Sequence, residues 1–137
     1  MRGRLIFDTG PLFLYFAGDR QVKEMFDEVA AGRVEGYTCE TNMAEFYYKT
    51  CERLGREAAE ARHTSIRHSK LIVLAVDSRL THIAGKIKCT ERGRVSLADA
   101  YVLAAAKMLG GTLVTTDQRL AELKLVQTRL LQIPSSA

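Results

Sequence analysis

The chain has 137 residues, of which 47% are apolar and 26% charged, ordinary proportions for one globular domain with a core of its own. No apolar run approaches the ~18 residues needed to span a bilayer, and the apolar stretch after Arg2 and Arg4 is broken at once by Asp8, which argues against a signal peptide; a cytoplasmic protein is expected. Twenty basic against sixteen acidic residues give a net charge of +4, which favours contact with a polyanion without establishing it.

Strand and helix signals alternate along the chain. Leu5-Ile6-Phe7 reads as a short buried strand ending at Asp8. Pro11 suits the first turn of a helix over 12–17 that Gly18 stops. Val22, Met25, Phe26, Val29 and Ala30 recur at helical spacing, with Gly32 as the C-terminal stop. A strand is expected over 34–39, a helix from Met43 to Arg53 and another over 57–69. The run Leu71 to Val76 is the clearest buried strand by composition. Leu80, Ile83, Ala84 and Ile87 mark a helix that Gly93 breaks. Leu97–Leu109 reads as a helix ended by Gly110-Gly111, followed by a strand over 112–115 and a short helix over 118–123. A last strand is expected within 126–133, and residues 134–137 form a short tail after a domain spanning 1–133. This alternation predicts an α/β fold with a mostly parallel sheet covered on both faces, whose ligands bind beyond the carboxyl ends of the strands.

Four acids sit at such ends or at helix starts, and each has an ordinary structural explanation. Asp8 precedes Thr9-Gly10-Pro11 and suits a turn or a helix cap. Asn42-x-x-Glu45 and Ser96-x-x-Asp99 both fit the capping box. Asp117 ends Leu-Val-Thr-Thr-Asp and suits an N-cap. Caps account for each acid alone and not for all four along one sheet edge. Converging carboxylates repel, and a cation among them removes the cost. Oxygen-only ligands select hard ions, here Mg²⁺ or Mn²⁺.

The segments Leu-Ile-Phe-Asp8-Thr9-Gly10, Asn42-Met-Ala-Glu45, Ser96-Leu-Ala-Asp99-Ala100 and Val114-Thr-Thr-Asp117, in this order, resemble the PIN-domain ribonucleases, and the length and spacing are most similar to VapC-type toxins of toxin–antitoxin pairs. The resemblance spans essentially the whole chain. It implies a three-layer α/β/α sandwich and a metal-dependent endoribonuclease that hydrolyses single-stranded RNA at an acidic site of Asp8, Glu45, Asp99 and Asp117. Within that site Asp8, Asp99 and Asp117 are the expected metal contacts and Glu45 the holder of a water or the base. Thr115 and Thr116 are candidate supporting hydroxyls. A cognate antitoxin is the implied partner. Relatives with the same motifs include processing nucleases and exonucleases, so those roles stay open.

Other residues carry weaker signals. Arg2, Arg4, Arg92, Arg94 and Arg119 lie near the motifs in sequence, and Arg92, Arg94 and Arg119 are candidate phosphate contacts or a solvated basic face. The aromatics within 12–16 and 46–48 suit core packing, with one or two left to stack bases or to build a homodimer or larger assembly. Cys39, Cys51 and Cys89 are spaced for neither zinc nor an obvious disulfide and read as free thiols. Asp8-Thr9-Gly10 after an apolar run also matches the catalytic loop of retroviral-type aspartic proteases, but those are all-β. A non-catalytic RNA-binding or assembly module that keeps the fold and uses the acids only as caps is the remaining alternative.

Overall fold

The computed structural model describes residues 3–133. Its sheet has five parallel strands in the order β3-β2-β1-β4-β5: β1 is Gly3–Phe7, β2 Val34–Cys39, β3 Ile72–Leu74, β4 Thr112–Thr115 and β5 Thr128–Leu130. Helices α1 (Thr9–Phe16), α2 (Arg20–Ala30), α3 (Glu40–Leu54), α4 (Arg56–Arg67), α5 (Ser78–Glu91), α6 (Leu97–Leu109) and α7 (Gln118–Leu123) connect them. The expected α/β/α sandwich is the observed architecture. A parallel sheet with helices between its strands is not the all-β frame of an aspartic protease.

Successive strand residues feed two separate cores. Ile6 and Leu113 pack with Leu80, Ala84, Val102 and Leu103 of α5 and α6. Phe7 and Val114, one residue on, pack with Leu12, Val22, Phe26, Met43 and Phe46 of α1, α2 and α3. Period-two side-chain alternation in a strand buried on both faces requires this split, and it is why consecutive residues Ile6-Phe7 and Leu113-Val114 are all apolar. The chain leaves β1 toward β2 on one side, while β4 adds on the other. The topological switch point therefore lies at the carboxyl ends of β1 and β4.

Three sequence readings need correction. The run Leu71 to Val76 is not a six-residue buried strand: only Ile72–Leu74 pairs, at the sheet edge, and Ile72 and Val76 stand about half exposed. Apolar β-branched composition reports strand propensity, not position in the sheet. Helix α3 begins at Glu40 with Cys39 as its N-cap residue, three residues earlier than read. Asn42 is therefore inside the helix, and the Asn42–Glu45 capping box does not form. Helix α5 stops at Glu91 rather than at Gly93; Arg92 takes a positive φ of 53°, and a 3-10 turn follows over Arg92–Arg94. Lys88 Nζ donates to the carbonyls of Arg92 and Val95, both at 2.7 Å, and ties this turn down before α6.

The aromatic run is used inside the fold. Phe46 is fully buried, with Phe13 at 5.0 Å and Phe16 at 5.6 Å between ring centroids, and Tyr15 stacks on Phe26 at 4.3 Å. Tyr48 is exposed. Truncating Phe46 to Ala removes the ring on which α1 and α3 meet and is expected to cost about 3–5 kcal/mol. Urea denaturation of wild type and Phe46→Ala measures the difference; a loss under about 1 kcal/mol would mean that α1 is held by other contacts.

Candidate active site

Asp8 is the first residue past β1, and three neighbours fix it. Its backbone N–H donates to Val114 O of β4 at 2.9 Å. Thr115 Oγ1 donates to Asp8 Oδ2 at 2.7 Å, and Asn42 Nδ2 donates to Asp8 Oδ1 at 3.3 Å and to Thr9 Oγ1 at 3.0 Å. The carboxyl is almost wholly buried. Burial raises its pKa to about 6 from an ordinary 3.8. The Thr115 hydroxyl and the Thr9 backbone oppose the rise, while the charges of Asp99 and Glu45 add to it.

The other acids come from separate elements onto the same cleft. Glu45 lies on α3, one turn beyond Asn42, and pairs with Lys49 at 3.3 Å. Asp99 sits in the first turn of α6, and its Oδ2 accepts from Ser96 N–H at 2.9 Å while Ser96 Oγ accepts from Asp99 N–H at 3.0 Å. Asp117 caps α7 by accepting from Arg119 N–H at 2.8 Å, and it pairs with the Arg119 guanidinium at 3.2 Å. Asp8, Glu45, Asp99 and Asp117 together line one cleft of about 370 Å³, with Thr9, Gly10, Phe13, Lys49, Ser96, Thr116 and Arg119. Capping and convergence are therefore not alternatives: Asp99 and Asp117 do both.

The supporting residues divide the work. Thr115 Oγ1 donates to Asp8 and accepts from Asp117 N–H at 3.0 Å, tying the ends of β1 and β4 together. Thr116 faces Gly10 so closely that a Cβ there would collide with its hydroxyl. Thr38 Oγ1 donates to Phe7 O at 2.8 Å and fixes the last peptide before Asp8. Of the candidate phosphate contacts, Arg119 lines the cleft, whereas Arg92 and Arg94 do not; Arg94 pairs with Glu91 at 2.7 Å. Arg4 binds Glu35 and the Leu109 carbonyl, and Arg2 lies outside the described residues. Lys49 and Asn42 are the site residues that the sequence reading missed. The signal was their four- and three-residue spacing from Glu45 on one helix face.

Cys39, Cys51 and Cys89 are free. Cys39, buried near Asp8 and Glu40, has its thiol pushed up to about 12 by burial and then by those two charges, and it stays protonated.

Among the described residues no three acidic side chains close into a ready-made metal cage. The donor set nevertheless fits a hard cation. It is all oxygen, and Asn42 Oδ1 is buried beside Asp8 without a partner. Mg²⁺ keeps several waters and needs only one or two carboxylates plus substrate phosphate.

The chain matches the PIN domain family over residues 5–125. No curated protein matches it. Among solved structures it is similar to VapBC2 from Rickettsia felis bound to a DNA fragment from their promoter, at 13% identity, 93% of this chain, 98% of that one and a TM-score of 0.76. DNA-bound VapBC from Salmonella typhimurium gives 19% identity, 94% and 98% coverage and a TM-score of 0.74. VapC20 from Mycobacterium tuberculosis, a toxin that cleaves the sarcin–ricin loop, gives 20% identity, 90% and 97% coverage and a TM-score of 0.69. At these identities the likeness is one of fold.

The Asp8 environment sets a pH dependence. A folded-state pKa above the unfolded value contributes stability at low pH that is lost as pH rises through about 6. Without divalent metal, the stability of Asp8→Asn relative to wild type is expected to rise between pH 4 and 7.5 by up to about 3 kcal/mol. Denaturant titrations in EDTA across that range measure it; a flat difference would mean that Asp8 keeps an ordinary pKa.

Proposed function

We propose that this chain, which belongs to the PIN domain family, is a metal-dependent endoribonuclease that hydrolyses phosphodiester bonds of single-stranded RNA and serves as the toxin of a toxin–antitoxin pair. One observation carries the reading: four carboxylates from four different elements line one cleft at the switch point of a parallel sheet, and the innermost, Asp8, pays for burial with a pKa raised to about 6. A helix-capping role explains Asp99 and Asp117 but leaves buried Asp8, which makes no side-chain cap bond, without a purpose.

In this reading Asp8, Asp99 and Asp117 hold Mg²⁺ or Mn²⁺, which supplies charge stabilisation at the phosphate and activation of water. Thr115 keeps the Asp8 carboxylate oriented through one oxygen, and Asn42 does so through the other. Glu45 faces the cleft from α3, where it orients the attacking water or takes its proton. Thr116 closes the floor over Gly10. Lys49 and Arg119, each already paired with a site acid, offset part of the repulsion between the cleft and a polyanion. Attack by water leaves the 2′-hydroxyl unused.

The similar structures include toxin–antitoxin complexes, two of them on DNA, which supports a protein antitoxin as the partner. Self-association as a homodimer or larger assembly belongs to the same reading, although the aromatics of α1 and α3 pack against one another inside the fold. Light scattering reads it directly.

Incubation of single-stranded RNA with the protein and Mn²⁺ is expected to give fragments with 5′-phosphate and 3′-hydroxyl ends. EDTA, Asp8→Asn or Asp99→Asn should each lower the rate at least 100-fold. Cyclic 2′,3′-phosphate ends, or full activity in excess EDTA, would exclude this chemistry.

A further inference from the structure

The acidic cleft does not end at Glu45. Phe13 and Lys49, on its rim, also line an adjoining cavity of about 390 Å³ with Glu52 and Arg53. Phe13 and Arg53 then line a third, of about 370 Å³, with Phe16, Thr50, Leu54 and Arg62. The shared residues make these one groove, leading from the acids between α1, α3 and α4.

Its lining is organised. Glu45, Lys49 and Arg53 recur every four residues on α3, so each lies roughly 6 Å further along one face of the helix. The first faces the cleft, and the next two are exposed cations. Arg62 of α4 lies over the Phe16 ring, 5.2 Å from its centroid. Phe13 and Phe16, partly exposed, flank buried Phe46 and give the groove an aromatic wall. Thr50 is almost fully buried, lines the groove, and its hydroxyl has no partner among the described residues. Neither Arg53 nor Arg62 has a carboxylate partner among the described residues; Glu52 is the one acid in the lining of the two outer cavities.

Resting on the nuclease reading, we propose that this groove is a subsite for the nucleotides flanking the scissile phosphate on one side. Lys49, Arg53 and Arg62 contact successive backbone phosphates, and the Phe13 ring offers a face to an unpaired base, while Phe16, stacked on Phe46 and covered by Arg62, holds Arg62 in place. An aromatic wall beside a line of cations is the combination that binds single strands with little sequence preference, because every base has a face to stack. A duplex keeps its base faces to itself, so the groove selects single-stranded RNA. The unpartnered Thr50 hydroxyl can accept from, or donate to, a base edge. An apolar protein segment would use the rings but leave the cations idle, and that is why nucleic acid is the favoured occupant.

The test compares fluorescein-labelled mixed-sequence RNAs of 12 and 4 nucleotides, with Ca²⁺ in place of Mg²⁺ during binding. Arg53→Gln combined with Arg62→Gln is expected to weaken the 12-mer about tenfold and to flatten its salt slope by about 1.4, two phosphates at ~0.7 each for a single strand. The 4-mer should stay within twofold of wild type. Arg53→Lys with Arg62→Lys should restore the slope, and Phe13→Leu should weaken the 12-mer without moving it. A glutamine double variant that binds the 12-mer with wild-type affinity and slope overturns the groove; if that variant still cuts RNA with Mn²⁺, the nuclease reading survives. A double variant that keeps RNA affinity but no longer holds a co-expressed partner protein assigns the groove to protein and also overturns the proposal. Wild type that neither binds nor cuts RNA sinks both.

Discussion

A carboxyl buried at the end of a central strand is the constraint around which the rest of this structure is arranged. Removing Asp8 from water costs free energy that its bonds to Thr115 and Asn42 offset only in part, since its pKa stays near 6. The partners come from β4 and α3, so holding one side chain aligns three elements. Thr38 on the Phe7 carbonyl and the Asp8 amide on Val114 O complete the frame. A site built on strand ends and first helical turns is more rigid than one built on loops.

The remaining acids show how a helix cap and a cleft-lining carboxylate can be one residue. Ser96 and Asp99 form a reciprocal capping box, and Asp117 caps α7. Each cap fixes the rotamer and aims the carboxylate, and each helix start adds a favourable field for negative charge. Lys88, clamping the turn at Arg92–Val95, sets where α6 begins and so where Asp99 stands. The bonds that cap the helices also hold these carboxylates at the cleft, so a substitution at these positions changes both the helix start and the cleft lining.

Much of this was legible in the sequence because it is local. Strand periodicity, the glycines that close helices, and the Ser96-x-x-Asp99 box each lie within a few residues. The order of the four acidic segments carried the family. Relations between elements were not legible. Asn42 reads as a cap because its partner, Asp8, is thirty-four positions away. Arg92 and Arg94 adjoin a motif in sequence yet do not line the cleft, while Lys49, one turn past Glu45, reaches it along α3. Leu71 to Val76 has the composition of a buried strand, and nothing local says that the sheet ends there.

The central claim is that Asp8 and Asp99 belong to one divalent-cation site rather than to separate caps. Asp77 caps α5 by accepting from Leu80 N–H, outside the cleft, and is the matched control. Thermal melts of wild type, Asp8→Asn, Asp99→Asn and Asp77→Asn, in EDTA and then in Mn²⁺, decide the matter. Wild type and Asp77→Asn should gain equally from Mn²⁺, by about 2.7 kcal/mol at a hundred times the dissociation constant, and the other two should gain little. An equal response from all four proteins would contradict the account.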